Sequence, residues 1–186
     1  MTSNQPITRL RNRLQSLRRD NSLGGSHTRP PIAMPENIEP ELTLEQLRAL
    51  PSVEQDFGTP EGAVLCLEAA YRRNSIESVC ACKNFMVEGT VALLNVDEDL
   101  AHDPEVRKKN ALLMERAFRK ATTEAWPDLK GVESFFISRQ AYHEGFVVVV
   151  EIRRSPDGKF TKLNHLVANT HSGWRVLNEI SDDELD

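Results

Sequence analysis

The hydrophobic pattern divides the chain into a stretch without sustained periodicity, a series of helical periods and a series of strand periods. Up to about Ile38 the only apolar regularity is Leu10, Leu14 and Leu17, spaced i, i+4 and i+7 on one face of a candidate basic helix. Gly24-Gly25-Ser26 and prolines 30, 31 and 35 then resist regular structure. Thr43 to Leu50 predicts a short helix, capped by Thr43 with Gln46 three residues on, and stopped by Pro51.

Thr59-Pro60-Glu61 is a strong helix start. Threonine caps free N–H groups, proline suits the first helical position, and the carboxylate complements the positive end of the dipole. Ala63, Val64, Leu67, Ala70 and Tyr71 then make one face apolar. Ser75 restarts a short helix bearing Ile76, Val79 and Cys80, and a third apolar stretch runs from Phe85 to Leu94. Asp103-Pro104-Glu105 repeats the opening device for a long helix, with Ala111, Met114, Phe118, Ala121 and Ala125 expected on one stripe. That helix is expected to end at Trp126-Pro127.

After Gly131 the period changes. Val132 to Gln140 alternates in part, and Phe146 to Ile152 is a β-branched run of the kind found in central strands. Ser155-Pro-Asp-Gly158 reads as a hairpin turn, because proline presets φ and glycine accepts a positive φ. Lys159 to Asn169 and Trp174 to Ile180 complete the strands, joined at His171-Ser-Gly173. Helices first and an antiparallel meander of about four strands afterwards predict an α+β domain. The expected division is an arm over 1–58, a domain over 59–181 and an acidic tail over 182–186.

Composition narrows the class. In 186 residues, 39% hydrophobic and 27% charged content excludes a wholly disordered or collagen-like chain. The longest apolar run, Phe146 to Val150, is far too short to cross a bilayer, and no secretory signal pattern opens the chain. Three cysteines cannot all pair internally, so a reducing, cytoplasmic compartment is expected. The net charge of −5 conceals an asymmetry: residues 1–30 carry six arginines against Asp20, net +5, and the remainder is −10. The arm is open to two readings, a flexible tail or a contact for an anionic surface, an import receptor or nucleic acid. It lacks aromatics that would stack on bases, so nucleic acid is not an expected partner.

Few residues are arranged for chemistry. Cys80-x-Cys82 with Cys66 has no second paired motif, and on a helix Cys80 and Cys82 point about 200° apart; no metal is expected. No nucleophile elbow and no phosphate-cradling glycine loop occurs. Two acidic groups stand out: Asp97, Glu98 and Asp99 with Asp103 and Glu105, and Asp182, Asp183, Glu184 and Asp186 at the C-terminus. Each reads either as solvated charge or as a steering surface for a cationic partner.

Residues 59–71 (Thr-Pro-Glu-Gly-Ala-Val-Leu-Cys-Leu-Glu-Ala-Ala-Tyr), 74–85 (Asn-Ser-Ile-Glu-Ser-Val-Cys-Ala-Cys-Lys-Asn-Phe) and the ending Ser-Gly-Trp-Arg-Val-Leu resemble the nuclear transport factor 2-like superfamily. Within it they resemble the immunity-protein branch, antidotes encoded beside bacterial polymorphic toxins. The resemblance spans about Thr59 to Ile180 and leaves the arm outside. It implies a cone-like fold, in which N-terminal helices close over a strongly curved sheet.

It also implies a non-enzymatic antidote without cofactor, binding one cognate toxin domain with a basic cleft and occluding that cleft. The contact candidates are Asp97, Glu98, Asp99, Asp103 and Glu105, with Trp126 as an aromatic anchor or, alternatively, a plug for the mouth of the cone. The competing expectation is a small-molecule-binding or isomerase/hydratase-like enzyme using the cone interior. Its candidates are Tyr71, Glu133, Tyr142, His143, Glu151 and His165. His165 shares strand parity with Leu163 and Val167, and Glu151 with Val147 and Val149. Dimerisation through an exposed sheet face is a third expectation.

Overall fold

The computed structural model describes residues 41–94, 96–182 and 185; the basic arm up to residue 40, with its leucine-faced helix, lies outside them. Six helices precede four strands among the described residues. Helix α1 (Leu44–Arg48) opens on a capping box, the Thr43 hydroxyl accepting from the Gln46 N–H and the Gln46 side chain accepting from the Thr43 N–H at 2.8 Å. Helix α2 (Pro60–Arg72) has Thr59 as its cap, accepting from the Gly62 N–H at 3.1 Å, with Pro60 in the first turn. Asn74, at φ 52°, turns the chain into α3 (Ile76–Ala81), which Ser75 caps. Helix α4 (Phe85–Leu94), the short α5 (Glu98–His102) and the long α6 (Pro104–Glu124) follow.

Strands β1 (Glu133–His143), β2 (Phe146–Arg154), β3 (Phe160–Thr170) and β4 (Gly173–Glu179) form one antiparallel sheet in the order β1-β2-β3-β4. The expected α+β class and four-strand meander are therefore present. Register shifts interrupt β1 between Phe136 and Ser138 and again between Ala141 and His143, and the β3–β4 ladder between Leu166 and Val167.

Strand β2 is buried on both faces, which accounts for its dense β-branched run. On one face Val149, Val167 and Val176 pack against Ala63 and Val64 of α2. On the other, Val148, Leu166, Ala168, Leu177 and Ile180 pack with Val87 and Leu185. The helices share a further core, in which Cys66, Ala70, Val79 and Cys82 meet Phe118 and Trp126.

The stripe expected on α6 needs one correction. Ala111 is buried and Met114 and Phe118 are half-buried, but Ala121 and Ala125 are exposed, and Thr122 takes the buried place. Thr122 lies three helical turns from Ala111, about 20° off its azimuth, whereas Ala121 falls about 80° away. The Thr122 hydroxyl is satisfied there by the Tyr71 side chain.

The packed body also begins upstream of Thr59. Leu47 is only 1% exposed, and Arg48 forks onto Glu133 at 2.9 and 3.2 Å. The Phe57 carbonyl accepts from the Trp174 N–H at 2.8 Å, and the Arg175 guanidinium sits 3.9 Å over the Phe57 ring. Two glycines permit this strap. A Cβ at Gly62 would stand 2.6 Å from the carbonyls of Glu54 and Asp56, and one at Gly173 (φ 96°) 2.5 Å from that of Phe57.

If residues 43–58 are part of the body, Leu47→Ala should lower unfolding stability by about 2–4 kcal/mol in a denaturant titration. A detachable arm predicts no change.

Candidate functional site

Strand alternation and helix pitch gather four ionisable groups between α2 and the sheet. Glu151 and Arg153 follow Val147 and Val149 on the α2-facing side of β2, and His165 lies between Leu163 and Val167 on the same side of β3. The β2–β3 register pairs Val149 with His165 and Glu151 with Leu163, so Glu151 reaches His165 diagonally. Glu68 sits one turn beyond Val64 on α2, and Ser134 lies opposite Arg153 on β1.

The Arg153 fork donates to both Glu151 oxygens at 3.1 and 3.0 Å and to Glu68 Oε1 at 3.0 Å. Ser134 Oγ donates to Glu68 at 2.8 Å, and Arg72 approaches its other oxygen at 3.3 Å. His165 Nε2 lies 2.7 Å from Glu151 Oε2. Glu68 is 2% exposed, Glu151 0% and His165 2%.

Burial raises the Glu68 pKa above its ordinary value, and the neighbouring Glu151 charge adds to the rise. Burial opposes ionisation of Glu151 as well, but the His165 hydrogen bond and the Arg153 charge hold it well below the usual carboxylate range. Glu151 is thus the fixed anion and Glu68 the carboxyl that protonates more readily. With an ionised Glu151 accepting from the Nε2–H, Nδ1 is the ring nitrogen left over. That Nδ1 atom is buried and has no hydrogen-bond partner among the described residues. A carboxylate-oriented imidazole with one open nitrogen can accept a proton or a hydrogen bond from a small polar molecule.

Only part of the interior constellation expected from sequence comes together here. Glu151 and His165 meet. Glu133 does not join them, since its neighbour Ser134 takes the inward position; its half-exposed carboxylate is held below its ordinary pKa by hydrogen bonds from Arg48 and Arg154. His143 is exposed and stands edge-on to Phe146 at 6.3 Å. Tyr142 packs against the opposite-face cluster of Val148 and Leu166. Burial pushes the Tyr71 hydroxyl up to about 12, and its ring stands edge-on to Trp126 at 5.7 Å. Glu68, Arg153 and Ser134 complete the group and were not among the expected residues. A signal for two of them was present: Glu68 falls in register with Val64 on the buried side of α2, and Arg153 shares the parity of Val149 and Glu151.

The expected contact residues lie elsewhere, along a ridge formed by α5 and the start of α6. Asp97 caps α5, accepting from the Asp99 N–H at 2.9 Å; Asp103 caps α6, accepting from Glu105 and Val106 at 2.8 and 3.2 Å. All five carboxylates, Asp97, Glu98, Asp99, Asp103 and Glu105, are exposed. Their one ion pair among the described residues is Glu98 with His102 at 3.8 Å. Val96 and Leu100, which flank Asp97–Asp99 in the chain, are also exposed. Trp126 is half-buried, and its indole N–H donates to the Tyr71 carbonyl at 3.0 Å, which ties it to the helix layer.

Of the C-terminal acids, Asp182 is engaged by Lys162 at 2.6 Å and Asn164 at 2.8 Å; Asp183, Glu184 and Asp186 lie outside the described residues. The three cysteines are buried free thiols, and burial pushes Cys82 up to about 11. Among the described residues no group of three or more His, Cys, Asp and Glu could hold a metal, and no helix is long and apolar enough to cross a membrane.

A scan against family models, a search of curated proteins and a search of solved structures each find no match.

The network has a definite pH signature. Glu151, with its depressed pKa, contributes stability that is complete above its unfolded value of about 4.3 and is lost as pH falls. Glu68, with its raised pKa, works in the opposite direction. Glu151→Gln should therefore cost about 3 kcal/mol at pH 7, leave a shallower acid limb, and destabilise more than Glu68→Gln. Denaturant titrations at pH 7 and pH 4 measure all three.

Proposed function

We propose that this protein is an antidote that binds one cognate bacterial toxin domain in the cytoplasm and occludes a basic cleft on it. The observation that carries this reading is the α5–α6 ridge, where five exposed carboxylates, with one ion pair to a histidine among the described residues, stand beside exposed Val96 and Leu100. Uncompensated surface carboxylates steer a positively charged partner, and apolar side chains among them supply the contact that persists after docking. An antidote needs a rigid scaffold and no reacting group, and helices packed on an antiparallel sheet supply one. In this reading the bulged sheet is the curved wall of a cone and the helices close its wide end.

A second reading has one specific observation in its favour, the unpartnered Nδ1 of His165 beside an ionised Glu151. It would make the interior a small-molecule or isomerase/hydratase-like site. A ligand that raises the melting temperature of the natural chain but not of His165→Phe would support it.

The antidote reading is tested by affinity purification of the tagged full chain from its native host, with mass spectrometry of the co-eluting material. A stoichiometric toxin fragment that survives high salt is expected; a clean preparation from a host expressing the toxin overturns the reading. With the fragment in hand, the D97N/E98Q/D99N variant should slow association about tenfold at low salt and leave dissociation nearly unchanged in stopped-flow measurements.

A further inference from the structure

Helix α6 presents a second surface, opposite in charge to the ridge. Lys108, Lys109, Arg116 and Lys120 are exposed along it, and between them Leu112 and Leu113 are 59% and 64% exposed. Lys120 approaches Glu124 at 3.8 Å, whereas Lys108, Lys109 and Arg116 have no ion pair among the described residues. Beside this face lies a groove of about 390 Å³. Its walls include Phe85, Met86, Ala111 and Leu112, with Lys108 and Arg175 also in the lining. Met86 is 44% exposed. The carboxylate of Glu115, also in the lining, accepts from Arg119 at 2.9 Å, a guanidinium that Glu77 shares. A cationic groove with apolar walls thus opens on a chain whose net charge is −5.

We infer that this face of α6 and its groove form a docking surface for an acidic, apolar-anchored segment of a partner protein. Apolar side chains of that segment would enter the groove against Met86 and Leu112, and flanking carboxylates would meet Lys108, Lys109 and Arg116. Charge complementarity selects this occupant over a second copy of the chain. Antiparallel pairing of two α6 helices about Leu112 and Leu113 sets Lys109 against Arg116, offset only by Glu105 against a Lys120 that already approaches Glu124, and parallel pairing sets each cation against itself. A planar anionic bilayer would contact the exposed leucines but could not fill a concave groove. The inference does not depend on the antidote reading, because the two surfaces have opposite charge and share no residue.

The probe is a fluorescein-labelled peptide with leucines at i, i+3, i+4 and i+7 and glutamates between them, titrated with the full chain by anisotropy. Saturable binding is expected, with about tenfold weaker affinity for K108E/R116E and for L112S, and no binding of the same peptide carrying lysines for glutamates. The substitutions are on an exposed face, and unchanged melting curves would establish that the variants remain folded. Three results would overturn the inference. One is no saturable binding at millimolar chain; another is equal affinity for the natural chain and both variants. The third is preferential pelleting with phosphatidylserine vesicles that K108E/R116E abolishes, which would assign the face to lipid.

Discussion

Two carboxylates on the inward side of an α/β interface are costly to bury unless a cation reaches in to meet them, and half-buried Arg153 does so. Its fork spans Glu151 on its own strand and Glu68 on α2, while Ser134 and His165 bring in the strands on either side. A buried ionic group of this kind contributes little net stability compared with a packed apolar cluster, yet losing one partner leaves the others uncompensated. Its structural consequence is register. The contact of Ala63 and Val64 with Val149 and Val167 is apolar and tolerates sliding, whereas Glu68 is satisfied at one position of α2 only. The helix over the sheet is thereby fixed in place, and with it the packing of α3 and α6 on α2.

Outside this interior group, charge is segregated along the surface. Part of the segregation serves the helices themselves. Asp97 and Asp103 cap α5 and α6, whereas the cations of α6 are divided between its two halves with none in the last turn, so the dipole does not account for them. Capping does not require Glu98 or Asp99 to be acidic, nor does the dipole account for exposed Leu112 and Leu113. Those residues exceed what the helices need for their own stability, and that excess is the physical basis for treating the ridge and the α6 face as recognition surfaces.

Local signals were legible wherever a residue acts on its own backbone. The caps at Thr43, Thr59, Ser75 and Asp103 and the turn at Ser155–Gly158 fall where the sequence predicts them. So does the buried β-branched strand. The strand parity of Glu151 and His165 also indicated that both face inward, as the structure finds. Errors arose where a residue's environment comes from distant chain. Ala121 appeared apolar enough for the core stripe, but Thr122 holds the better azimuth and finds Tyr71 as a partner. Glu133, a candidate interior acid by sequence, is held at the sheet margin by Arg48 and Arg154.

The sequence by itself therefore determined the elements other than the short α5, where a loop was expected, together with their order, the α+β class and the inward parity of the central strands, because capping, turn chemistry and periodicity act over a few residues. Tertiary structure alone decided that residues 43–58 belong to the body, since Leu47 is buried, Arg48 pairs with Glu133 on β1 and the Phe57 carbonyl accepts from Trp174 on β4. It also decided that Glu68 and Arg153 complete the interior group, that Trp126 is tied to the helix layer, and that Lys108 shares a groove with Arg175. Each of these depends on how α2 packs against the sheet and α6 against the other helices, which no local pattern encodes.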